Sequence, residues 1–128
     1  MSNHLPDTNI FLQIFRKNFD VRSFVENFDS VICSTVYIEC LQGSKSNQEK
    51  SRIKKYLETF PIFYQTEEIS RRAVELIERY SNTHGLLLGD AQIAAVALEY
   101  NLTLITYNVK DFQFIIGLNI AVPPFPAI

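Results

Sequence analysis

Four acidic residues, Asp7, Glu39, Asp90 and Asp111, stand where a carboxylate can reach a common crevice. Asp7 directly follows the first predicted strand, and Glu39 sits in the helix entered from the second. Asp90 opens an Ala-rich helix, and Asp111 follows the strand that ends at Thr106. In open α/β sheets ligands bind beyond the carboxyl ends of the strands, so residues there have a geometric claim to function. Four gathered carboxylates repel, each close pair costing about 4 kcal/mol at 4 Å with an effective dielectric of 20. A hard divalent cation relieves that cost, because Mg²⁺ and Mn²⁺ take carboxylate oxygen and water and bridge to phosphate. No His or Cys grouping favours zinc: His4 and His84 are far apart and read as surface or turn residues. Cys33 and Cys40, seven apart in apolar surroundings, read as buried reduced thiols.

Each acid also has a plainer reading. Asp7 and Asp90 can cap the helices that follow them, since a carboxylate near a helix N-terminus accepts free backbone N–H groups. Asp111, in Asn108-Val109-Lys110-Asp111, can be a turn former. Glu39 resists such a reading, because Val36, Ile38, Cys40 and Leu41 are apolar and a lone buried carboxylate is costly.

The elements that must position these residues follow from periodicity. A short strand precedes Asp7, and a helix carrying Ile10, Phe11, Ile14 and Phe15 follows it. A second helix covers 21–28, and Ser30-Val31-Ile32-Cys33 suits a buried strand. Ser34 or Thr35 then caps a helix over 36–41 that stops at Gly43 in a left-handed conformation. Residues 47–59 form a charged helix, 62–64 a strand, and 66–80 a helix with Ile69, Ala73, Leu76, Ile77 and Tyr80 on one face, followed by a polar segment. The stretch 91–98 is apolar on nearly all sides, as a core helix is, with strands over 102–106 and 118–122 after it. Strands alternating with helices predict an α/β domain, a three-layer α/β/α sandwich around a largely parallel sheet.

Composition sets the outer bounds. A chain of 128 residues, 47% hydrophobic and 20% charged, builds one core, so a single domain over 1–128 is expected. The longest uncharged apolar run, 93–98, is far short of the roughly 20 residues that cross a bilayer. MSNHLPD has neither a basic n-region nor an apolar h-region, which together with that shortfall predicts a cytoplasmic protein with no membrane partner. Net charge is −2, yet setting the four acids aside leaves 10 of the 14 acidic residues against 12 basic ones. Lys45, Lys50, Arg52, Lys54 and Lys55 crowd one segment beside the Glu39 helix, where they can meet RNA phosphates or form a solvated face.

Four segments in order carry a family resemblance: D-T-N at 7–9, S-T-V-Y-I-E-C-L-Q-G at 34–43, L-L-L-G-D-A-Q-I-A-A-V-A-L-E at 86–99 and L-T-L-I-T-Y-N-V-K-D-F at 102–112. Nearly the whole chain resembles the PIN-domain ribonucleases, and within them the VapC-type toxins of toxin–antitoxin pairs. The resemblance implies a parallel-sheet fold, an acidic quartet at Asp7, Glu39, Asp90 and Asp111, and metal-dependent endonucleolytic hydrolysis of RNA. Within that quartet, Asp7, Asp90 and Asp111 are expected to bind Mg²⁺ or Mn²⁺ directly, and Glu39 to orient or deprotonate a metal-bound water, a division of roles that is a hypothesis. The family takes its fourth acidic contribution from the position of Asn108 or from that of Asp111. Thr8, Asn9, Thr106 and Asn108 fall where such proteins carry supporting hydroxyl or amide groups. A homodimer and a cognate antitoxin protein that covers the site are further implications. One departure is Asn3-His4-Leu5-Pro6, polar and proline-containing where the family has an aliphatic first strand.

Two rivals remain at this point. A receiver-type signalling domain also has an acidic Mg²⁺ pocket, but it needs adjacent acids after its first strand and an Asp after its central one. Here Thr8 follows Asp7, and 62–64 leads to Gln65. A PIN-like binding module without activity is the other, against which the complete acidic set argues.

Overall fold

The computed structural model describes residues 3–128, so Met1 and Ser2 of the MSNHLPD segment lie outside the described residues. In chain order the elements are β1 (His4–Pro6), α1 (Thr8–Phe15), α2 (Phe19–Asn27), β2 (Ile32–Cys33), α3 (Ser34–Gln42), α4 (Asn47–Leu57), β3 (Ile62–Phe63), α5 (Glu67–His84), α6 (Leu88–Glu99), β4 (Thr103–Ile105), a 3₁₀ turn (Val109–Asp111) and β5 (Asn119–Ala121). Every strand pairing is parallel. Leu5 stands opposite Leu104 and Leu104 opposite Ile120, which orders β1, β4 and β5. β2 pairs with β3, and a bridge from Ser30 to His4 joins that pair to β1. The strand order is therefore β3-β2-β1-β4-β5.

Both faces of this sheet are covered. Successive residues of a strand point to opposite faces, and Leu104, Ile105 and Thr106 are all buried. The sheet is thus the middle layer of an α/β/α sandwich, as the alternation of elements predicts. The proline in β1 is tolerated because bonding alternates between a strand's two sides. Asn3 O accepts from Thr103 N and Asp7 N donates to Ile105 O on the β4 side, whereas His4 O accepts from Val31 N on the other. The missing N–H of Pro6 falls on that second side, so the pairing that places Asp7 is intact.

The helices form where their caps and faces agree. Thr66 accepts from Ile69 N at the start of α5, and Ile69, Ala73, Leu76 and Tyr80 bury one stripe of it. That stripe packs on α6, whose Ala91, Ala94, Ala95 and Ala97 are buried and let the two backbones approach closely. Cys33 and Cys40 are free and buried, and burial pushes both thiols up to about 12, so neither acts as a thiolate near neutral pH.

Several local expectations are corrected. Gly43 closes α3 with φ −77°, a right-handed conformation, because its N–H bonds Glu39 O within the helix turn. The cap of α3 is Cys33, not Ser34 or Thr35. Helix α5 continues through 81–84 and ends where Gly85 takes φ 72°, so the glycine, not the polar run, stops it. Leu87 is the cap of α6, and Asp90 lies inside the first turn without capping it. His4 is not a surface residue: it is half-buried in β1 against Phe24 and Phe28, and its buried Nδ1 has no hydrogen-bond partner among the described residues.

Candidate metal centre

Asp7 is the best-anchored residue of the site. It leaves β1 in an extended conformation, its N–H bonded to Ile105 O at 2.9 Å, and its side chain caps α1. Oδ1 accepts from Thr8 N at 2.7 Å and Oδ2 from the Thr106 hydroxyl at 2.9 Å. Thr106 is fully buried, and its Oγ1 accepts in turn from Asn108 N at 3.0 Å. The capping reading of Asp7 therefore holds, and its second oxygen is held by a hydroxyl from β4's end, which leaves the carboxylate facing the other acids in one orientation. Burial, at 4% exposure, raises the Asp7 pKa. The bonds from Thr106 and Thr8 oppose that rise, and the charges of Glu39 and Asp111 add to it.

The other acids converge on Asp7 from separate elements. Asp90, half-buried in the first turn of α6, is pushed up to about 6, first by burial and then by the charges of Asp7, Asp111 and Glu39. Glu39 is exposed on α3, so the expectation that it is buried among apolar neighbours is corrected: Ile38 beside it is 61% exposed as well. The Glu39 carboxylate is fixed instead by two small neighbours. Its Oε1 accepts from the Thr8 hydroxyl at 2.5 Å, and its Oε2 lies so close to Gly89 that a Cβ there would stand 3.0 Å away. Asp111 is exposed in the 3₁₀ turn, with its N–H on Asn108 O. Thus four acids separated along the chain share one electrostatic environment, and acids alone supply the Coulombic influences on Asp7 and Asp90.

A hard divalent cation suits this donor set, which is all oxygen, strongly anionic and free of imidazole or thiolate. The pKa values of Asp7 and Asp90 are raised first by burial and then by the neighbouring carboxylates, the electrostatic setting in which a bound cation is favoured. Among the described residues, no three of these groups already close on a common ion position. Asp7 is engaged with Thr8 and Thr106, and Glu39 with Thr8.

The supporting residues divide into two pairs. Thr8 and Thr106 bond the acids directly, whereas Asn9 and Asn108 line an adjoining cleft of about 200 Å³. Gly89 escaped the sequence reading, although a glycine inside a helical pattern, directly before an acid, signals a close approach. Lys45, Lys50, Arg52, Lys54 and Lys55 are exposed and form no ion pair among the described residues. All but Lys45 sit on α4, which packs against α3. Arg52 lines a separate cavity with Ile14, Phe15, Arg22, Glu49, Ile53 and Tyr56.

Comparison with known proteins agrees with this architecture. Ribonuclease VapC10 of Mycobacterium tuberculosis is 36% identical over 86 residues, which span 66% of this chain and 62% of that protein. The chain thus matches less than two thirds of the length of this curated relative. A toxin–antitoxin complex from Klebsiella pneumoniae contains a chain 31% identical, with a TM-score of 0.79, over 94% of this chain and 98% of its own. DNA-bound VapBC from Salmonella typhimurium shares the fold at 18% identity, with a TM-score of 0.84, over 95% of this chain and 98% of its own. Residues 5–114, which hold all four acids, match the PIN domain model, and the chain belongs to the PIN domain family.

Proposed function

We propose that this protein is a metal-dependent endoribonuclease of the VapC toxin type, which hydrolyses RNA phosphodiester bonds and is restrained by an antitoxin protein. The observation that carries the reading is the convergence of Asp7, Glu39, Asp90 and Asp111 at the carboxyl ends of β1 and β4 without a basic counter-charge. The relatives named as a ribonuclease and as toxin–antitoxin complexes support the same activity and partner.

In this reading Asp7, Asp90 and Asp111 hold Mg²⁺ or Mn²⁺. When bound, the cation supplies Lewis acidity toward water and neutralises charge that builds on the phosphate. The protein's own groups supply position. Thr8 N and Thr106 hold Asp7 in one orientation. Thr8 aims the exposed carboxylate of Glu39 by its hydroxyl bond, and Gly89 leaves the room that carboxylate occupies. Glu39 orients the attacking water and accepts its proton. The water oxygen bonds to phosphorus as the bond to the departing ribose oxygen breaks, that oxygen takes a proton from solvent, and no covalent enzyme intermediate forms. The α4 bases meet phosphates flanking the cleaved bond.

A homodimer is also proposed. Val74 and Leu88 are exposed and line one groove on α5 and α6 with Ala73 and Ile77, which supports an apolar contact there. The activity is tested by incubating a small-RNA pool with wild-type and Asp90→Asn protein, in Mg²⁺, in Mn²⁺ and in EDTA. Cleavage by wild type alone, and only with metal, is the expected result. Equal cleavage by the variant, or cleavage in EDTA, refutes the assignment.

A further inference from the structure

The cleft beside the acids is built from a stripe of α1 and a clamped segment of chain. Asn9, Leu12, Gln13 and Arg16 recur at helical spacing and form one wall, about 10 Å long at 1.5 Å per residue. Tyr107 and Asn108 form the facing wall, and Ala127 closes the cleft. Its position follows from the acid site itself: Asn9 is two residues beyond Asp7, and Asn108 N bonds the same Thr106 hydroxyl that holds Asp7.

The walls are held rigid. Gln13 donates from Nε2 to Ile128 O and accepts from Ile128 N, and Asn18 Nδ2 donates to Pro126 O. The Tyr107 hydroxyl donates to Phe125 O at 2.6 Å, which anchors the tip of its side chain against the C-terminal segment. Arg16, exposed at the end of α1, makes no ion pair among the described residues.

An anchored aromatic side chain, two side-chain amides and a free guanidinium together match what single-stranded RNA offers, namely a base face, base edges and phosphate. We infer that this cleft is a nucleotide subsite for the RNA strand beside the cleaved bond. Tyr107 stacks a base, Asn9 and Asn108 read its edge or ribose, and Arg16 takes a phosphate farther along α1. This rests on the proposed nuclease reading and adds to it a determinant of substrate position. The α4 bases lie on another element, so the two phosphate contacts are separable by mutation.

The test measures binding of a short fluorescein-labelled single-stranded RNA of mixed sequence, with Ca²⁺ in place of Mg²⁺, across a salt series. Wild type, Arg16→Ala, Arg16→Lys and Tyr107→Leu are compared, and cleavage in Mg²⁺ is followed in parallel. Arg16→Ala should bind roughly tenfold more weakly, with the log–log salt slope flatter by about 0.7, the value for one lost single-strand phosphate contact. Arg16→Lys should recover the slope, and Tyr107→Leu should weaken binding without changing it. Unchanged affinity and slope in Arg16→Ala, or no RNA binding by wild type, overturns the subsite. Binding with these differences but no cleavage by wild type in any metal leaves the subsite standing and removes the nuclease reading instead.

Discussion

The Thr106 hydroxyl donates to Asp7 Oδ2 at 2.9 Å across a separation of 99 residues, adding a buried side-chain bond to the backbone bond from Asp7 N to Ile105 O where β4 and β1 end. That bond does two things at once. It satisfies a carboxylate oxygen that burial would otherwise leave stranded, and it sets the direction in which Asp7 faces the other acids.

Replacing Thr106 with Val keeps the shape and removes the donor. A hydrogen bond to a charged group contributes about 1.5–3 kcal/mol, so Thr106→Val should unfold roughly 5–10 °C earlier in thermal melts at neutral pH. Thr106→Ser, which retains the hydroxyl, should melt close to wild type. Equal melting of Thr106→Val and wild type would show that the bond contributes nothing to stability.

The acid site should make the metal-free protein less stable as pH rises. Asp90 titrates near 6 in the folded chain, against an ordinary value of 3.8, so the folded state holds its proton more tightly than the unfolded state. Stability is then greatest below pH 4 as far as this group is concerned, falls between about 4 and 6, and is level above. Asp7 is shifted in the same direction. Asp90→Asn should flatten the decline and raise the melting temperature of the metal-free protein at pH 7. A profile for Asp90→Asn that parallels wild type contradicts the shift.

Added Mg²⁺ or Mn²⁺ should raise the melting temperature of wild type at pH 7, by mass action on a site present only in the folded state. Asp7→Asn, with one anionic ligand fewer, should respond less and lose at least about 100-fold in cleavage rate. A full thermal response in Asp7→Asn would place the ion elsewhere.

Gly89→Ala separates the site from the fold. Gly89 lies in the first turn of α6, where Ala is favoured by up to about 1 kcal/mol in helix propensity. The new Cβ would stand 3.0 Å from Glu39 Oε2, at the end of an exposed side chain, which can swing aside by giving up its surface hydrogen bond to Thr8. The variant should therefore melt at or above the wild-type temperature while cleaving at least about tenfold more slowly. Retained cleavage would mean that the position of Glu39 does not matter.

The Lys54 and Lys55 side chains are exposed at the end of α4. If they meet phosphates, the double alanine variant should bind RNA with a log–log salt slope flatter by about 1.4. An unchanged slope would leave these residues as a solvated helix face.

Much of the fold was legible because burial imposes a period on the chain. Ile69, Ala73, Leu76 and Tyr80 announce a helix face, and Leu104 and Ile105 a strand covered on both sides. The ends of elements were less legible, since Gly43 and Gly85 look alike in sequence and only one of them takes a left-handed conformation. Whether a glycine turns depends on where the next segment has to go. Exposure at Glu39 was misread for a related reason: apolar neighbours predict burial only when another element arrives to cover them, and Ile38 stays uncovered.

By itself the sequence determined the alternation of strands and helices and the placing of acids after strand ends, because both follow from local periodicity and from chain direction in a parallel sheet. The tertiary structure alone decided which groups touch. Thr8 reaches Glu39 across 31 residues and Thr106 reaches Asp7 across 99. Gly89 meets Glu39 because α6 begins beside α3. Such contacts depend on how helices pack across the sheet, which is set by the shapes of many side chains together and is written in no local stretch of the chain.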